Sequence, residues 1–411
     1  MKERRVEISE GDMMLTTVRH LALIVGIGAG FAVAATISAC SRQNIGGELT
    51  AGPGTAARDS AQRIEERAMV DPNDPQSLDQ LLSNLETKRV VFVGETHDRY
   101  DHHLNQLAVI RGLHERNVDL AVGVEFFQEP FQRHLDDYVA GRIDEKTLLK
   151  RTQYYDRWKY DYRLYRDILT YTRENSIPVI ALNAPKELVV RVSRSGIGDL
   201  KSELWRGLPG DTAIAEPAYQ ARLRPVFEMH GKTSEEGFRR FVDVQLLWDE
   251  HMARVARDYL LADPNKTMVI LAGSGHVAYP DAIPGRLARM LNGGHAVVAT
   301  GVAERYADGA VDYLFTERKI SLDPPGQMGM TLASDGAGVS IRDVAPAGAA
   351  AKAGFRAGDQ IRSIAGEPIR GMDDVRLALL DRVSGEELWI EVEPNGLSER
   401  DAGQGRLLRL L

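Results

Sequence analysis

Five short runs of apolar residues alternate with stretches of helical periodicity in the middle of the chain. The runs are Val90–Val93, Leu120–Val124, Pro178–Leu182, Met268–Ala272 and Ala296–Thr300. Continuous apolar runs of four to six residues are typical of parallel strands, which are buried on both faces. Because strands alternate with helices, the pattern predicts an α/β fold class, with a parallel-rich sheet covered by helices.

Two of the predicted helices carry further information. Asp101–Asn117 has leucine and isoleucine at helical spacing, and it follows the first strand. The longer helix, Ser234–Leu261, has an apolar stripe that is interrupted by Gln245 and Asp249. Burying these two polar groups costs free energy unless they are hydrogen-bonded. Two interpretations are open: they cap a loop at a strand end, or they support a site from behind.

Polar side chains follow the ends of four of the predicted strands. The first strand runs into Gly94-Glu95-Thr96-His97, and the fourth into Gly273-Ser274-Gly275-His276. Since the carboxyl ends of parallel strands lie on one edge of a sheet, side chains far apart in sequence should converge there. The converging polar residues are Glu95, His97, Glu125, Asn183 and His276.

Such a cluster has three open interpretations. His97, Glu125 and His276 could hold a divalent metal such as zinc or manganese. Glu95, His97, Glu125 and His276 could instead perform general acid–base catalysis. The third interpretation is a polar network that only closes the top of the sheet. The residues predicted to approach a bound cofactor are Gly94, Asn183, Gly273, Gly275, Gln245 and Asp249, the glycines because they allow close backbone contact.

Composition excludes some classes of protein. The 411 residues carry a net charge of −8, so nothing favours nucleic-acid binding. Cys40 is the only cysteine, which excludes an intramolecular disulfide and a cysteine-based zinc cluster.

The N-terminal region has the pattern of a targeting segment. An apolar run, Leu21–Ile37, follows a basic flank and precedes Ser38-Ala39-Cys40, which resembles a bacterial lipobox. The resemblance implies a signal peptide over residues 1–39, lipidation of Cys40, a tether over 40–77 and attachment to a membrane. The expected location is the bacterial cell envelope, on the outer membrane facing the periplasm. The alternative is an uncleaved membrane helix.

The order of the central motifs resembles one family. GETHDRYDHH, VGVEFF, IALNAP, VQLLWDEHMA and AGSGHVAYPDAIPGRL occur in this order, and together they resemble the ChaN family of haem-binding lipoproteins over residues 78–320. The resemblance implies haem binding in iron uptake, a tyrosine ligand to the iron, and pairing of two protomers. ChaN is similar to the wider Tiki/TraB superfamily, whose metal-dependent peptidases have a signature that falls here on Glu95, His97, Glu125 and His276.

The resemblance does not name the ligand of the haem iron. The aromatic run TQYYDRWKYDYRLYRDI supplies several phenols, although such a stripe is also typical of a helix core. The candidate ligands are Tyr100, Tyr154, Tyr155, Tyr160, Tyr162, Tyr165, His102, His103 and Met252.

The C-terminal region resembles a bacterial PDZ domain, with predicted bounds 325–396. Its most specific part is Ala353-Gly354-x-x-Ala357-Gly358-Asp359. The resemblance implies that a peptide or protein C-terminus binds at Gly329, Met330, Thr331 and Leu332 and adds as a strand. The alternative is a domain that packs without binding a peptide. Residues 397–411 are predicted to form a tail, and a last short strand within it is the alternative.

Three functions follow from these observations. The first is a lipid-anchored haem-binding protein. The second is a metal-dependent hydrolase or peptidase to which the PDZ domain presents peptides. The third is an envelope interaction protein in which the PDZ domain does the binding.

Overall fold

The computed structural model describes residues 69–198, 215–229, 231, 234–302, 305–306, 309–336, 338–395 and 404–411. The chain divides into two compact units. The first contains the chain up to Ile143 together with Leu164–Ile320, and the second contains Asp144–Arg163 and Ser321–Leu411. The predicted signal peptide, Cys40 and nearly all of the predicted tether lie outside the described residues.

The first unit is built on a seven-stranded sheet in which every neighbouring pair is parallel. This confirms the predicted fold class. The strand order is β1-β7-β6-β2-β5-β3-β4. The strands are β1 (Met69–Val70), β2 (Val90–Glu95), β3 (Leu120–Gln128), β4 (Val179–Asn183), β5 (Thr267–Gly273), β6 (His295–Thr300) and β7 (Tyr313–Phe315).

Helices connect the strands of the first unit and continue into the second. In chain order they are α1 (Pro75–Leu85), α2 (Tyr100–Glu115), α3 (Gln132–Val139), α4 (Glu145–Arg151), α5 (Tyr154–Arg157), α6 (Arg163–Glu174), α7 (Lys186–Ser195), α8 (Pro217–Glu228), α9 (Glu235–Ala262), α10 (Ser274–Val277), α11 (Ile283–Met290), α12 (Ala349–Lys352) and α13 (Met372–Leu379). Among the described helices, none has the length and apolar character needed to cross a membrane.

The largest helix, α9, packs its apolar stripe on the central strands. Met252 and Ala256 of α9 are fully buried in one cluster with Phe92 of β2 and Ile270 of β5. The hydroxyl of Ser234 accepts a hydrogen bond from the backbone of Gly237 and so caps the helix. The predicted helix therefore forms with its stripe toward the sheet.

The register of the central strands brings the predicted strand ends together. In the β2–β5 pair, Glu95 lies opposite Gly273, and in the β3–β5 pair Val124 lies opposite Leu271. Glu125 is therefore the next residue of β3 beyond the last paired position. As a result, the carboxyl ends of β2, β3 and β5 lie side by side at one edge of the sheet.

The second unit contains an antiparallel sheet with the order β13-β12-β10-β9-β8, in which β11 also pairs with β10. The strands are β8 (Met330–Asp335), β9 (Gly338–Val344), β10 (Gln360–Ile364), β11 (Glu367–Pro368), β12 (Glu387–Glu393) and β13 (Gln404–Arg409).

The end of the predicted tail forms a short strand, β13, which is the alternative that the sequence leaves open. It pairs with β12 over six residues, from Gln404 to Arg409. Leu408 and Leu410 are buried, at 0% and 3% exposure, in the core of the second unit. The alternation of apolar and polar residues at the end of the chain is therefore that of a strand with one face in a core.

The second unit also includes a segment from within the predicted central domain. Residues Asp144–Arg163, which contain α4 and α5, belong to it. Lys150 forms an ion pair of 2.9 Å with Asp374 of α13. Arg376 donates a hydrogen bond of 3.0 Å to the carbonyl oxygen of Tyr155 and lies over its ring. The compact units thus differ from the continuous ranges 78–320 and 325–396 that the sequence suggests.

Candidate functional site

Glu95, at the end of β2, is the centre of one half of the site. Its Oε1 lies 2.6 Å from Nδ1 of His97, and its Oε2 lies 2.8 Å from Nδ1 of His103 on α2. The hydroxyl of Tyr165 donates to Oε1 at 3.3 Å. These four side chains are between 0% and 3% exposed. The carboxylate is therefore held from three directions by buried side chains.

The two histidines keep the Glu95 carboxyl ionised. Burial alone would raise the pKa of Glu95, but His103 and His97 hold it well below its usual range. Burial also lowers the pKa of His103, yet the Glu95 carboxylate outweighs burial and raises it. A charged pair, Glu95 with His103, therefore lies behind His97.

The ionised carboxylate fixes the tautomer of His97. A carboxylate only accepts hydrogen bonds, so Nδ1 of His97 carries the proton that is donated to Glu95. In the neutral imidazole, Nε2 is then the acceptor atom. This nitrogen lies on the side of Gly273, because a Cβ added to Gly273 would be 3.1 Å from it. His97 thus has the orientation of a general base supported by a carboxylate.

His276, directly after β5, is the centre of the other half. Its Nδ1 lies 2.6 Å from Oδ1 of Asp249 on α9, and the hydroxyl of Tyr219 on α8 donates to Oδ2 of Asp249 at 2.8 Å. Burial lowers the pKa of His276, but Asp249 and then Glu125 raise it above the ordinary value. Burial and Asp249 also raise the pKa of Tyr219 well above its usual value, so its hydroxyl keeps its proton.

Glu125 lies between the two histidines. Its Oε2 accepts a hydrogen bond of 2.8 Å from the backbone of Gly273, and its Oε1 is 3.7 Å from Nε2 of His276. The side-chain amide of Asn183 donates to the carbonyl oxygen of Glu125 at 2.9 Å. Chemically, the site combines a histidine placed to accept a proton, a histidine whose protonated form is stabilised, and a carboxylate between them.

The glycines of the two motifs make this packing possible in different ways. A Cβ on Gly94 would lie 2.9 Å from the hydroxyl oxygen of Ser274, and one on Gly273 would lie 3.0 Å from Cε1 of His97. Gly275 is exposed, and no atom lies within 4 Å of an added Cβ. Two of the three predicted glycines are thus needed for close contact.

Helix α8 covers the His276 half of the site. Arg222 donates to the carbonyl oxygen of Gly275 at 3.2 Å and pairs with Asp281 at 3.0 Å. Its guanidinium group lies between the rings of Tyr219 and Tyr279, 4.9 Å and 4.1 Å from their centroids. The contacts of Arg222 and Tyr219 hold α8 on the site.

Some predicted residues do not join the cluster. Gln245 is buried on α9. Among the described residues, it takes no part in the hydrogen bonds that join the cluster. Gly275 contributes only its carbonyl oxygen. Also among the described residues, no group of three or more His, Cys, Asp or Glu side chains is arranged to hold a metal ion. We therefore derive no chemical step through a metal.

Most candidate haem ligands are inaccessible. Tyr154, Tyr162 and Tyr165 are at most 1% exposed, and so is Met252. His102 accepts a hydrogen bond of 3.0 Å from the backbone of Thr96, and burial lowers its pKa to about 4. His102 and Tyr165 contact the strand-end loop, whereas Tyr154 and Tyr162 belong to the second unit. They have no surface on which a porphyrin could lie.

Three contacts of the site are not predicted from the sequence: two with Glu95 and one with Asp249. His103 and Tyr165 were considered only as haem ligands, although both bind Glu95. Tyr219, the partner of Asp249, lies on α8, and its position in the sequence is not next to any of the predicted strand ends. For His103 a signal existed: it lies six residues after His97, on the first turn of a helix that begins at the site.

Comparisons with known proteins assign both parts of the chain. A family model described as "Haem-binding uptake, Tiki superfamily, ChaN" matches residues 81–287, and a PDZ-domain model matches residues 340–394. The first match begins in α1 and ends in α11, so it contains the whole strand-end site.

Individual relatives are more distant. The Arabidopsis thaliana protein "RETICULATA-RELATED 5, chloroplastic" is 24% identical over 229 residues, which are 49% of this chain and 30% of the relative. The chain thus spans less than a third of that protein.

Two solved structures are similar in fold. A ChaN structure from Campylobacter jejuni, described as showing cofacial haem binding, has 19% identity and a TM-score of 0.46. The match covers 57% of this chain and 89% of the Campylobacter jejuni chain. An erythromycin esterase variant in an open conformation has 16% identity and a TM-score of 0.35, with coverage of 55% and 73%.

The family model spans slightly more than half of the 411 residues, and it includes every strand-end residue of the site. The chain therefore belongs to the ChaN family of haem-binding uptake proteins in the Tiki superfamily, and it carries a C-terminal PDZ domain.

Proposed function

We propose that this protein binds haem and serves iron uptake at the cell envelope. The observation that carries the proposal is family membership over residues 81–287, a range that includes the central strands of the parallel sheet. The strand-end cluster itself is too enclosed for a porphyrin, since Glu95, His97, Glu125 and His276 are 2–4% exposed. Haem would therefore bind elsewhere on the first unit.

Titration of the purified chain with haemin tests this proposal. We expect a saturable shift of the Soret band at one equivalent per chain, whether the chain binds haem alone or as one of two paired protomers. Gel filtration of the haem-loaded chain distinguishes these two cases, because the predicted homodimer elutes earlier. A Soret spectrum that stays that of free haemin at all ratios would contradict the proposal.

Anchoring by lipid is part of the same proposal. Cys40 is the only cysteine, so it is the only thiol that could carry a diacylglycerol group. In bacterial cells fed a radiolabelled fatty acid, we expect label on the full chain and none on a Cys40→Ser variant. Equal label on both variants would exclude Cys40 as the lipid site. Fractionation of outer and inner membranes tests the expected location.

We further propose that the PDZ domain binds a peptide C-terminus along β8. Strand β8 pairs with β9 only, so in the described part of the sheet its other edge is available for an added strand. Gly329, directly before β8, has a φ of +69°, a backbone conformation that glycine adopts without strain. Peptides with free and amidated C-termini, tested on the full chain, should differ in affinity.

A second candidate function is hydrolysis at the strand-end site. The observation that favours it is the pair of oriented histidines, each with Nδ1 on a buried carboxylate and both next to Glu125. Two histidines that are each oriented by a carboxylate, with a third carboxylate beside them, are an arrangement suited to acid–base catalysis. The metal-dependent hydrolase predicted from the sequence stays a prediction.

Activity and metal content can be measured on one sample. Ester and peptide substrates are incubated with the wild-type chain, with His97→Asn and with a Gly275→Ala control. We expect activity that is lost in His97→Asn and kept in the control. Elemental analysis of protein purified without chelator then separates metal-dependent from metal-free chemistry. Equal turnover by His97→Asn and the wild-type chain would contradict hydrolysis at this site.

A further inference from the structure

The antiparallel sheet of the second unit ends in an open edge at β13. In the described part of the sheet this strand pairs only with β12. Beyond the strand, Leu411 exchanges two backbone hydrogen bonds, of 2.9 Å and 3.1 Å, with Gln327 on the side away from β12. Because backbone groups alternate in direction along a strand, those of Gly405, Leu407 and Arg409 point to the same side as those of Leu411. These three residues are the open edge, where a strand of another chain can pair.

The outer face of the sheet carries an exposed apolar pair next to this edge. Trp389 of β12 and Leu407 of β13 lie opposite each other and are 49% and 52% exposed. The indole of Trp389 covers Gly405, where a side chain would collide with it. Large apolar side chains beside an open edge favour association with a further strand.

The charges on the outer face are complementary to a second copy of β13. Gly405 lies opposite the exposed Glu391 of β12. When two β13 strands pair antiparallel about Leu407, Arg409 of one copy faces Gly405 of the other and comes next to the Glu391 of that copy. The two Leu407 side chains meet on the two-fold axis, between the two Trp389 rings. Opposite charges and apolar groups are thus matched in one arrangement.

The register centred on Leu407 also uses the whole open edge. It joins Gly405 with Arg409, Leu407 with Leu407 and Arg409 with Gly405, so the backbone groups of all three residues find partners. Registers displaced toward the end of the chain require Leu411, whose backbone groups are already bonded to Gln327. The register centred on Arg409 also places two guanidinium groups directly opposite each other, which is destabilising.

A membrane surface fits this face less well than a second copy does. Glu387 and Glu391 lie on either side of Trp389 on β12, and both are exposed. Anionic headgroups repel these carboxylates, and burying them without partners costs free energy.

We propose that two copies of this chain associate through β13 and form one continuous sheet across their second units. The association needs no haem, and it is separate from the pairing of protomers that the family resemblance implies. Since β8 is at the far end of each sheet, the two peptide edges lie at opposite ends of the dimer. Such a dimer holds two C-termini at once, which raises its apparent affinity for a partner that presents several. Only this last consequence rests on the peptide binding proposed above.

Sedimentation equilibrium of the haem-free full chain tests the association. We expect the mass of a dimer at high concentration and a fall toward the monomer on dilution. Leu407→Lys places two ammonium groups at the axis and should weaken association at least about tenfold. Leu261→Lys, at a position on α9 that is 60% exposed, is the matched control and should associate like the wild-type chain. Equal association of the two variants would overturn the proposal.

A wild-type chain that stays monomeric at every concentration would also overturn it. If that monomer binds vesicles of anionic phospholipid, and Leu407→Lys abolishes the binding, the face is a membrane surface instead.

Exchange of charges tests the contact between the two copies. Arg409→Glu places like charges next to each other and should weaken association. Arg409→Glu/Glu391→Arg restores an opposite pair and should regain most of the loss. Within one chain the two residues are not opposite each other, since Arg409 pairs with Glu387 and Glu391 with Gly405. A double variant that associates no better than Arg409→Glu would contradict the contact.

Cross-linking tests the register, in a Cys40→Ser background that has no other cysteine. Leu407→Cys places two thiols at the axis on residues whose Cα atoms are about 5.5 Å apart, within the reach of a disulfide. Arg409→Cys is the matched control, because its two copies are about 14 Å apart in the same register. We expect oxidation to link the Leu407→Cys chains and not the control. Equal linkage of both, or no linkage of Leu407→Cys, would overturn pairing about Leu407.

Discussion

At the scale of single residues, the site depends on contacts that leave no room for an extra atom. His97 lies against the backbone of Gly273, and the N–H group of that same glycine holds the Glu125 carboxylate. The backbone of Gly273 thus sets the separation between the His97 imidazole and the Glu125 carboxylate. Its substitution should show how tightly the site is packed.

Gly273→Ala is predicted to destabilise the first unit by about 1–3 kcal/mol, the usual cost of overpacking a core. The added Cβ would lie 3.0 Å from Cε1 of His97 and 3.7 Å from Oε2 of Glu125, so the imidazole must move. Urea unfolding measures the free energy. Gly275→Ala, where an added Cβ meets no atom within 4 Å, is the control and should change stability by less than about 0.5 kcal/mol. Equal effects of the two changes would contradict this packing.

Asp249→Asn is predicted to lower the pKa of His276, because Asp249 is the larger of the two charges that raise it. A histidine whose folded pKa is raised contributes stability below its ordinary pKa of about 6.5 and loses it as the pH rises through the folded pKa. The variant should therefore lose this contribution at a lower pH than the wild-type chain. NMR titration of His276, with unfolding measured from pH 5 to 9, checks both parts.

The contribution of Glu95 to stability depends on pH in the opposite direction from that of His276. Its folded pKa is lowered, so its contribution to stability is present above the ordinary pKa of about 4.3 and is lost as the pH falls through the folded value. Acid should therefore weaken the Glu95 half of the site, and a rise in pH through the raised pKa of His276 should weaken the other half.

At this scale, the sequence predicts the site residues at the strand ends but not the side chains that hydrogen-bond to them. Glu95, His97, Glu125 and His276 follow apolar runs, and the parallel topology brings them together without further information. Tyr219 and His103 lie on helices, and their contacts depend on how those helices rotate on the sheet. The rotation of a helix on the sheet is set by side-chain packing. One sequence, in which the paths of the loops are unknown, does not specify that packing.

At the scale of elements, α9 and α11 are joined by a buried ion pair. Glu250 of α9 and Arg286 of α11 are 0% and 2% exposed and contact each other. Burial raises the pKa of Glu250, and Arg286 partly offsets the rise. Since both groups leave water, the pair gains stability only while both partners are present.

Arg286→Met is predicted to destabilise the first unit by about 3–5 kcal/mol, because it leaves the Glu250 carboxyl buried and without its cation. The double variant Glu250→Leu/Arg286→Met should regain most of this loss. Urea unfolding of the wild-type chain, both single variants and the double variant forms a complete cycle. A double variant that is as unstable as the sum of the two single variants would show that the two residues act independently.

Element-scale prediction was accurate where periodicity was long. Helix α9 spans Glu235–Ala262 against a predicted Ser234–Leu261, and α2 spans Tyr100–Glu115 against Asp101–Asn117. The last strand, β13, is only weakly indicated by the sequence, because Gln404-Gly405-Arg406 weakens the apolar alternation before Leu408 and Leu410. Gly405 is needed there: a Cβ would come within 1.9 Å of the Trp389 indole on β12.

At the scale of the whole molecule, two cores imply two unfolding transitions. A chain that ends at residue 403 lacks β13 and exposes the buried partners of Leu408. We predict that calorimetry of this shortened chain loses the transition of the second unit and keeps that of the first. The wild-type chain is the reference, and the Asp249→Asn variant, which alters only the first unit, is the reciprocal control. Loss of both transitions in the shortened chain would contradict independent cores.

The sequence predicts the two kinds of fold but not how the chain is divided between them. Residues 144–163 look like part of a continuous central domain, since they lie between two of its strands. Only the contacts of Lys150 and Arg376 reveal that they belong to the second unit. Such pairings join residues more than 200 positions apart, and no local pattern encodes them.

The placement of residues 144–163 also affects the order of folding during synthesis. The ribosome adds about 5–20 residues per second, so about 8–30 s separate the emergence of Arg163 from that of Ser321. During this time the tyrosine-rich segment has left the ribosome before the strands it will join exist. A chaperone that binds aromatic segments should therefore act on this nascent chain before the PDZ domain is made, and a stalled chain ending near residue 320 should be its best substrate.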